Sequence, residues 1–148
     1  MDFTLNPDFL ALRESVSRFL MIEAAPEKLR EIWQTDAGRS PEMRSMLAAQ
    51  GLTALSVPEE LGGMGMDDMA WSLITQELGY FAIPDSLVDS AYIAVGLLNR
   101  LPLDSAIRAT WLQKIAEGTG RVAVGHPINP WVADAHMADL LLLAHPTP

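Results

Sequence analysis

Glu77 has the strongest claim to acid–base chemistry in this chain of 148 residues. It lies within an otherwise apolar stripe at helical spacing, whose other members are Ala70, Leu73, Ile74, Leu78 and Phe81. A carboxylate withdrawn from water can act as a general acid or base. The alternative is structural, and it is the more frequent arrangement: a glutamate at the edge of the stripe that pairs with an arginine from a neighbouring helix.

A cluster of glycines, Gly62-Gly63-Met64-Gly65, suggests a second chemistry, the binding of a phosphate group by backbone N–H groups. Known phosphate loops follow a buried strand and carry either Gly-Lys-Ser/Thr or GxGxxG, and neither pattern occurs here. We therefore favour a structural hinge within residues 51–65. In that stretch Val57-Pro58 favours an extended backbone, and the glycines allow a positive φ.

The three histidines do not form a metal-binding pattern. His126, His136 and His145 are widely spaced, and His126 is expected to pack into, or cap, a corner after a strand. The motifs Glu-x-x-His, His-Glu-x-x-His and Gly-x-Ser-x-Gly do not occur, and the chain has no cysteine. We expect no metal site and no catalytic residue within these residues.

Composition limits the class of partner. The formal net charge is −9 and the ten Lys and Arg residues are scattered, so we expect no nucleic-acid partner. The longest apolar run, residues 140–144, is too short for a bilayer, and the first residues do not resemble a signal peptide. We therefore expect a cytoplasmic protein that does not interact with membranes.

Start and stop signals predict six helices in the first 118 residues. The predicted starts are Asn6-Pro7, about Glu27 after the interruption at Pro26, Ser40-Pro41, Asp67 or Asp68, Asp85-Ser86, and Asp104. Gly51 and Gly118 are expected to end the third and sixth helices.

The pattern changes after the sixth helix. Residues 121–125 are short and β-branched, and residues 140–143 are apolar, so both are candidate strands. The predicted fold is mainly α, with six helices and one or two short C-terminal β-strands. Residues 1–120 are expected to form a helical domain, and residues 121–148 the start or remnant of a β domain.

Several of these segments resemble the N-terminal helical domain of the acyl-CoA dehydrogenase family, over residues 5–125. The family has a GL…VPEEYGGxG stretch, an EELG helix and a WLPxLAxGE segment ahead of a middle β domain. The similar segments here are Gly51-Leu52, Val57-Pro58-Glu59-Glu60-Leu61-Gly62-Gly63-Met64-Gly65, Glu77-Leu78-Gly79 and Trp111-Leu112-Gln113-Lys114-Ile115-Ala116-Glu117-Gly118.

The resemblance implies an oxidoreductase that acts on a CH–CH bond. Such flavoproteins use FAD to desaturate an acyl-CoA thioester, in fatty acid or sterol side-chain catabolism. A carboxylate removes the α proton, a β hydride passes to FAD, and electrons leave to an electron-transfer flavoprotein. The family's catalytic glutamate belongs to a C-terminal domain, so the resemblance gives that role to none of Glu59, Glu60, Glu77 and Glu117.

The segment after the first strand departs from the family. Members carry Thr-Glu-Pro and Gly-Ser-Asp motifs that contact the flavin, whereas Gly125-His126-Pro127-Ile128-Asn129-Pro130 keeps only the proline. We therefore expect this segment alone to be inactive and not to hold FAD. It would act within a longer chain, or in a homo- or hetero-oligomer with acyl-CoA dehydrogenase subunits. The alternative is a non-catalytic helical interaction subunit that stabilises a full-length flavin-binding partner.

The resemblance also implies a substrate-binding surface, because the N-terminal domain of the family forms one wall of the acyl pocket. The fifth helix is the expected element, and its candidate residues are Leu87, Ser90, Ala91, Ala94 and Val95. A plain role in the hydrophobic core remains the alternative for each of these positions.

Overall fold

The structure is a computed structural model that describes residues 4–129 and 131–144. The predicted six helices and two strands are confirmed. The helices are α1 Pro7–Glu23, α2 Pro26–Trp33, α3 Pro41–Ala49, α4 Asp68–Tyr80, α5 Ala94–Leu98 and α6 Ala106–Ala116. The strands are β1 Val122–Gly125 and β2 Leu140–Leu143, and short 3₁₀ helices occupy Glu59–Leu61 and Ala135–Met137.

The chain divides into two compact units. The first comprises the described residues up to Pro41 together with Met66–Asp85, and the second comprises Glu42–Gly65 with the described residues from Ser86 onward. No described helix has both the length and the hydrophobicity that a membrane crossing requires.

Helix starts in the first unit follow the predicted caps. Asn6 accepts a hydrogen bond from the backbone N–H of Asp8, ahead of Pro7 at the first helical position. Asp67, and not Asp68, caps α4 by accepting from the N–H groups of Met69 and Ala70. Pro26 is the first residue of α2, where its missing N–H costs nothing, so this helix begins one residue earlier than predicted.

The core of the first unit lies where α1 packs on α4. Val16 and Leu20 are buried on α1, and Ala70, Trp71 and Ile74 are buried on α4. The spacing of these residues gives each helix one apolar face, as the periodicity predicts. This packing also brings the polar residues at the edge of the two faces within reach of each other.

The fifth helix of the second unit spans residues 87–98 and is not a uniform α-helix. Its middle, Asp89–Ile93, is a π-helical turn that continues into α5. A π-turn adds one residue to the helical repeat and shifts the face that later side chains present. The periodicity of the sequence does not reveal this shift.

One local prediction in the second unit is wrong. The N-cap of α6 is Ser105, which accepts from the N–H of Arg108, whereas Asp104 lies in the turn that Ser105 closes onto Pro102. Residues 51–56 form consecutive turns ahead of Val57-Pro58. The N–H of Ala54 reaches the carbonyl of Gly51, and extended geometry is found at Pro58, with ψ 144°.

The two strands form a parallel pair in the second unit. Val122 lies opposite Leu140, and Gly125 lies opposite Leu143. The connection runs over residues 126–139, and the side chain of Asp139 accepts the N–H of Arg121 at 2.8 Å just before β1 begins. Of the two strands, β1 packs against the π-turn of the fifth helix. The division into a helical domain and a β domain at residue 120 stays a prediction.

Candidate functional site

Glu77 takes part in an ion pair that links α1 to α4. Its Oε1 atom lies 2.7 Å from Nε of Arg13, and the glutamate is buried while the arginine is partly exposed. The structural alternative for Glu77 is therefore confirmed, since its partner is an arginine from a neighbouring helix. The short contact joins the two helices at the edge of their packed faces, so Glu77 contributes to the packing of α1 on α4.

The glycine cluster has no backbone donors left for a phosphate. The N–H groups of Gly62, Gly63, Met64 and Gly65 donate to carbonyls of the same stretch, at 2.9 to 3.1 Å. A phosphate could bind these N–H groups only if existing hydrogen bonds broke. The cluster is a tight turn, in agreement with the structural interpretation.

The five candidate substrate residues lie inside the second unit. The side chains of Leu87, Ser90, Ala91, Ala94 and Val95 are each 0% or 1% exposed. None of the five lines the groove described below. Their assignment to an acyl pocket stays a prediction.

Ser90 is the polar member of this group, and it links three elements. Its Oγ atom accepts a hydrogen bond from Nη2 of Arg44 on α3, at 2.8 Å. The same atom accepts the backbone N–H of Val122 at the start of β1, at 3.3 Å. Both contacts are buried, so Ser90 fixes where β1 begins against the π-turn.

Charged side chains surround this junction. Arg121 lies 3.9 Å from the carboxylate of Asp134, and both residues are buried. Asp89, in the π-turn, has a pKa raised above its ordinary value, first by burial and second by the negative charge of Asp134. Within residues 4–129 and 131–144, no group of three or more His, Asp or Glu side chains is placed to hold a metal ion.

An apolar groove lies between the fifth helix and the strand pair. We call it the strand–helix groove; its volume is about 560 Å³, within the usual range for small-molecule sites. Its lining residues are Ile93, Leu97, Leu98, Leu101, Val124, Gly125, His126, Leu141, Leu142, Leu143 and Ala144. Several of them are partly exposed, Leu143 by 64%.

Sequence reasoning missed this groove, although the sequence carries a signal for it. Ile93 and Leu97 form a second apolar stripe on the helix whose other side was assigned to the pocket, and Leu101 continues the spacing of four residues just after the helix ends. A helix that is apolar on both sides must be covered on both sides or must bind something. The strand pair covers this second side only in part.

His126 is the polar side chain of the groove lining. It is exposed and caps the turn after β1, because its Nδ1 atom accepts the N–H of Ile128 at 3.2 Å. The predicted capping role is thus confirmed. His136 is exposed in the 3₁₀ helix Ala135–Met137 and does not line the groove, and His145 lies outside the described residues.

The described residues do not fit the phosphate end of FAD at the segment that follows β1. Ile128, Asn129 and Trp131 already donate their N–H groups to His126 or Asn129. Proline has no N–H, and it occupies positions 127 and 130. As in the glycine cluster, these backbone N–H groups are already engaged and are not open to a phosphate.

Comparison with known proteins gives one family. The model of the acyl-CoA dehydrogenase N-terminal domain matches residues 6–119. The acyl-CoA dehydrogenase IpdE2 of Mycolicibacterium smegmatis is 30% identical over 136 residues, which are 90% of this chain and 41% of that protein. The chain therefore spans about two fifths of the length of this curated relative.

Solved structures share the fold. The ChsE4–ChsE5 complex from Mycobacterium tuberculosis matches with a TM-score of 0.77 at 23% identity, over 84% of this chain and 34% of that chain. A structure described as the FAD complex of PigA matches with a TM-score of 0.81 at 20% identity, over 100% of this chain and 46% of that chain. At these identities the likeness shows the fold alone.

Proposed function

The chain belongs to the acyl-CoA dehydrogenase family, and we propose that it forms one wall of the acyl site in an enzyme that desaturates acyl-CoA thioesters with FAD. It would work within a longer chain or a hetero-oligomer and be inactive alone. The observation that supports this most directly is the strand–helix groove, an apolar site of about 560 Å³ in a chain of this family.

The groove suits an acyl group because its lining side chains are apolar except for His126. Each methylene that leaves water for such a surface gains about 0.8 kcal/mol. The fifth helix remains the proposed wall of the acyl site, and its two sides would have different tasks. Ile93 and Leu97 would contact the acyl chain directly, and the buried side would support them; that side consists of Leu87, Ser90, Ala91, Ala94 and Val95.

The proposal assigns the flavin, the carboxylate that removes the α proton, and the exit of electrons to an electron-transfer flavoprotein to other parts of the assembly. Among the described residues, the backbone donors in the glycine cluster and after β1 are already used. Glu77 pairs with Arg13 of the neighbouring helix, so this glutamate has a structural task. The acyl group would be a fatty acyl or a sterol-derived acyl group. The protein would be located in the cytoplasm, and cell fractionation would test this location.

Co-expression with an acyl-CoA dehydrogenase homologue encoded nearby tests the proposal. We expect co-purification, flavin absorbance and acyl-CoA-dependent reduction of an electron acceptor in the pair, and none of these catalytic properties in the chain alone. Stoichiometric flavin in the chain alone would contradict the proposal. A homologue that is fully active alone, while the chain stays monomeric, would refute the hetero-oligomer.

A second candidate is a non-catalytic interaction subunit, which the partial exposure of the groove favours. Large apolar side chains in contact with solvent often mark protein–protein interfaces. Leu97→Asp separates the two candidates in the co-expressed pair. A wall of the acyl site predicts an intact complex with a raised KM, whereas an interface predicts loss of the complex itself.

A further inference from the structure

We propose that His126 gives the strand–helix groove a polar end, so that the groove selects ligands with an apolar body and a hydrogen-bond acceptor at one terminus. The acceptor is a carboxylate or the carbonyl of a thioester. This inference rests on the proposed function, which places an acyl group in the groove, and it adds the direction in which that group lies.

The hydrogen bonds of the turn determine which ring nitrogen of His126 carries the proton. Nδ1 of His126 accepts the N–H of Ile128, so the proton of the neutral ring resides on Nε2. The N–H of Asn129 binds the carbonyl of the same histidine, which closes the turn a second time. The turn therefore fixes both the tautomer and the position of the ring.

Apart from His126, the side chains that line the groove are apolar. The helix contributes Ile93, Leu97 and Leu98, the segment after it contributes Leu101, and the strand pair contributes aliphatic side chains as well. Among the described lining residues, His126 is therefore the one whose side chain carries a hydrogen-bond donor, Nε2–H. Because His126 directly follows β1, the donor lies at the end of the groove where that strand ends.

The groove distinguishes ligands by the group at the end of their apolar chain. The apolar chain of a ligand gains from burial in the groove whatever its head group is, so the length of the chain sets the basic affinity. Only a terminus that accepts a hydrogen bond gains from Nε2–H. A net hydrogen bond of ordinary strength corresponds to about a tenfold difference in affinity.

Calorimetric titration of the purified chain with four probes of equal chain length tests the proposal. The probes are decanoate, decanoyl-CoA, 1-decanol and decyltrimethylammonium, each below its critical micelle concentration. We expect His126→Phe to weaken decanoate and decanoyl-CoA about tenfold and to leave decyltrimethylammonium unchanged. Binding of decanoate but not decanoyl-CoA would identify a free acid as the source of the head group, and the reverse would identify a thioester.

His136→Phe is the matched control, since His136 is exposed and lies outside the groove. It should leave all four affinities unchanged. Equal losses for every probe in His126→Phe, or no loss for any, would overturn the proposal. Nitrogen NMR of the wild-type chain provides a test without a variant, because a proton on Nδ1 of His126 would also overturn it.

Two further variants distinguish an error in the proposed orientation of the ligand from an error in the proposed function. Leu97→Asp places a charge in the groove, and Leu103→Asp places one at an exposed position outside it. If Leu97→Asp abolishes binding while Leu103→Asp and His126→Phe have no effect, the acyl site is supported and the orientation set by His126 is rejected. Unchanged binding in Leu97→Asp rejects the acyl site itself.

Discussion

Gly63 is required for a different reason from its neighbours. Gly62 and Gly65 have φ values of +85° and +58°, which side chains with a Cβ rarely adopt. Gly63 has no such φ, but a Cβ at this position would collide with the backbone carbonyl of Val57. The sequence predicts the turn from the glycines as a group, and the structure separates a conformational need from a need for space.

Gly63→Val should destabilise the second unit by about 3 kcal/mol or more, because a backbone atom cannot move aside as a flexible side chain can. Gly62→Asn is the control. It meets open space and needs only a left-handed conformation that asparagine tolerates, so we expect a loss of about 1 kcal/mol or less. Urea unfolding measures both. A Gly63→Val protein of normal stability that had lost ligand binding would show that the turn is functional.

Asp89 makes stability depend on pH. Burial, and then Asp134, raise the pKa of Asp89 above its ordinary value of 3.8, so the folded state binds this proton more tightly than the unfolded state. The associated stability is present below pH 3.8 and is lost as pH rises through the folded pKa. Asp89→Asn should therefore lose less stability between about pH 4 and 7 than the wild type.

Urea unfolding across this pH range tests the prediction for Asp89. Asp36→Asn, at an exposed position, is the control and should follow the wild-type curve. An Asp89→Asn protein with the same pH profile as the wild type would show that this carboxyl does not control the profile.

At the level of elements, the turn that ends α4 contains a residue, Ala82, that is poorly suited to its conformation. Ala82 has φ +51°, and the N–H of Ile83 reaches back to the carbonyl of Leu78, which is the arrangement that glycine usually completes. The sequence places glycine three residues earlier, at Gly79 inside the helix, where a Cβ would meet nothing within 4 Å.

Ala82→Gly should therefore raise the free energy of unfolding by about 1 kcal/mol, because a left-handed conformation costs alanine roughly that amount. Gly79→Ala should stabilise the helix by about 0.5–1 kcal/mol for the opposite reason. Thermal unfolding of the two single variants and the double variant measures both effects. A destabilised Ala82→Gly protein would contradict the left-handed assignment.

Ser90→Ala tests how the π-turn holds β1. The variant removes the acceptor for the buried N–H of Val122 and for Nη2 of Arg44, and an unsatisfied buried donor costs about 1–3 kcal/mol. We expect a loss of about 2 kcal/mol, and faster hydrogen exchange at the N–H of Val122. Ser72→Ala, at an exposed position of α4, is the matched control and should change stability by less than about 0.5 kcal/mol. Equal effects of the two substitutions would contradict this role of Ser90.

Prediction succeeded where the signal is local. Asn6-Pro7 and Asp67 start helices through contacts within a few residues, so their types and spacing are sufficient. The π-turn, the pairing of β1 with β2 and the Ser90 junction depend on contacts between distant parts of the chain. A sequence periodicity does not contain those contacts.

For the whole molecule, the resemblance supplied the family and the residue pattern supplied the elements, whereas the groove was recognised from the three-dimensional structure, although its helical stripe is visible in the sequence. Ile93 and Leu97 belong to the same helix as the predicted substrate residues but point to another side of it. The inserted residue of the π-turn changes which positions share a face, so a count by 3.6 residues per turn does not give the side of the helix that lines the groove.

The net charge of −9 predicts how the whole chain responds to salt. Mutual repulsion of like charges opposes the compact state, and salt screens it. Salt also weakens exposed ion pairs such as Glu14–Arg18, but such pairs contribute only about 0–1 kcal/mol each. The melting temperature should therefore rise, by a few degrees, between about 0.05 and 0.5 M sodium chloride.

Glu31→Lys tests this balance on an exposed position of α2, near the end of the helix where a positive charge is favourable. The substitution removes one negative charge and adds one positive charge, so the formal net charge changes from −9 to −7. We expect a higher melting temperature at low salt and a smaller rise on addition of salt, with Glu31→Gln between the variant and the wild type. A melting temperature that falls with salt in the wild type would show that ion pairs, and not net repulsion, dominate the electrostatics of this chain.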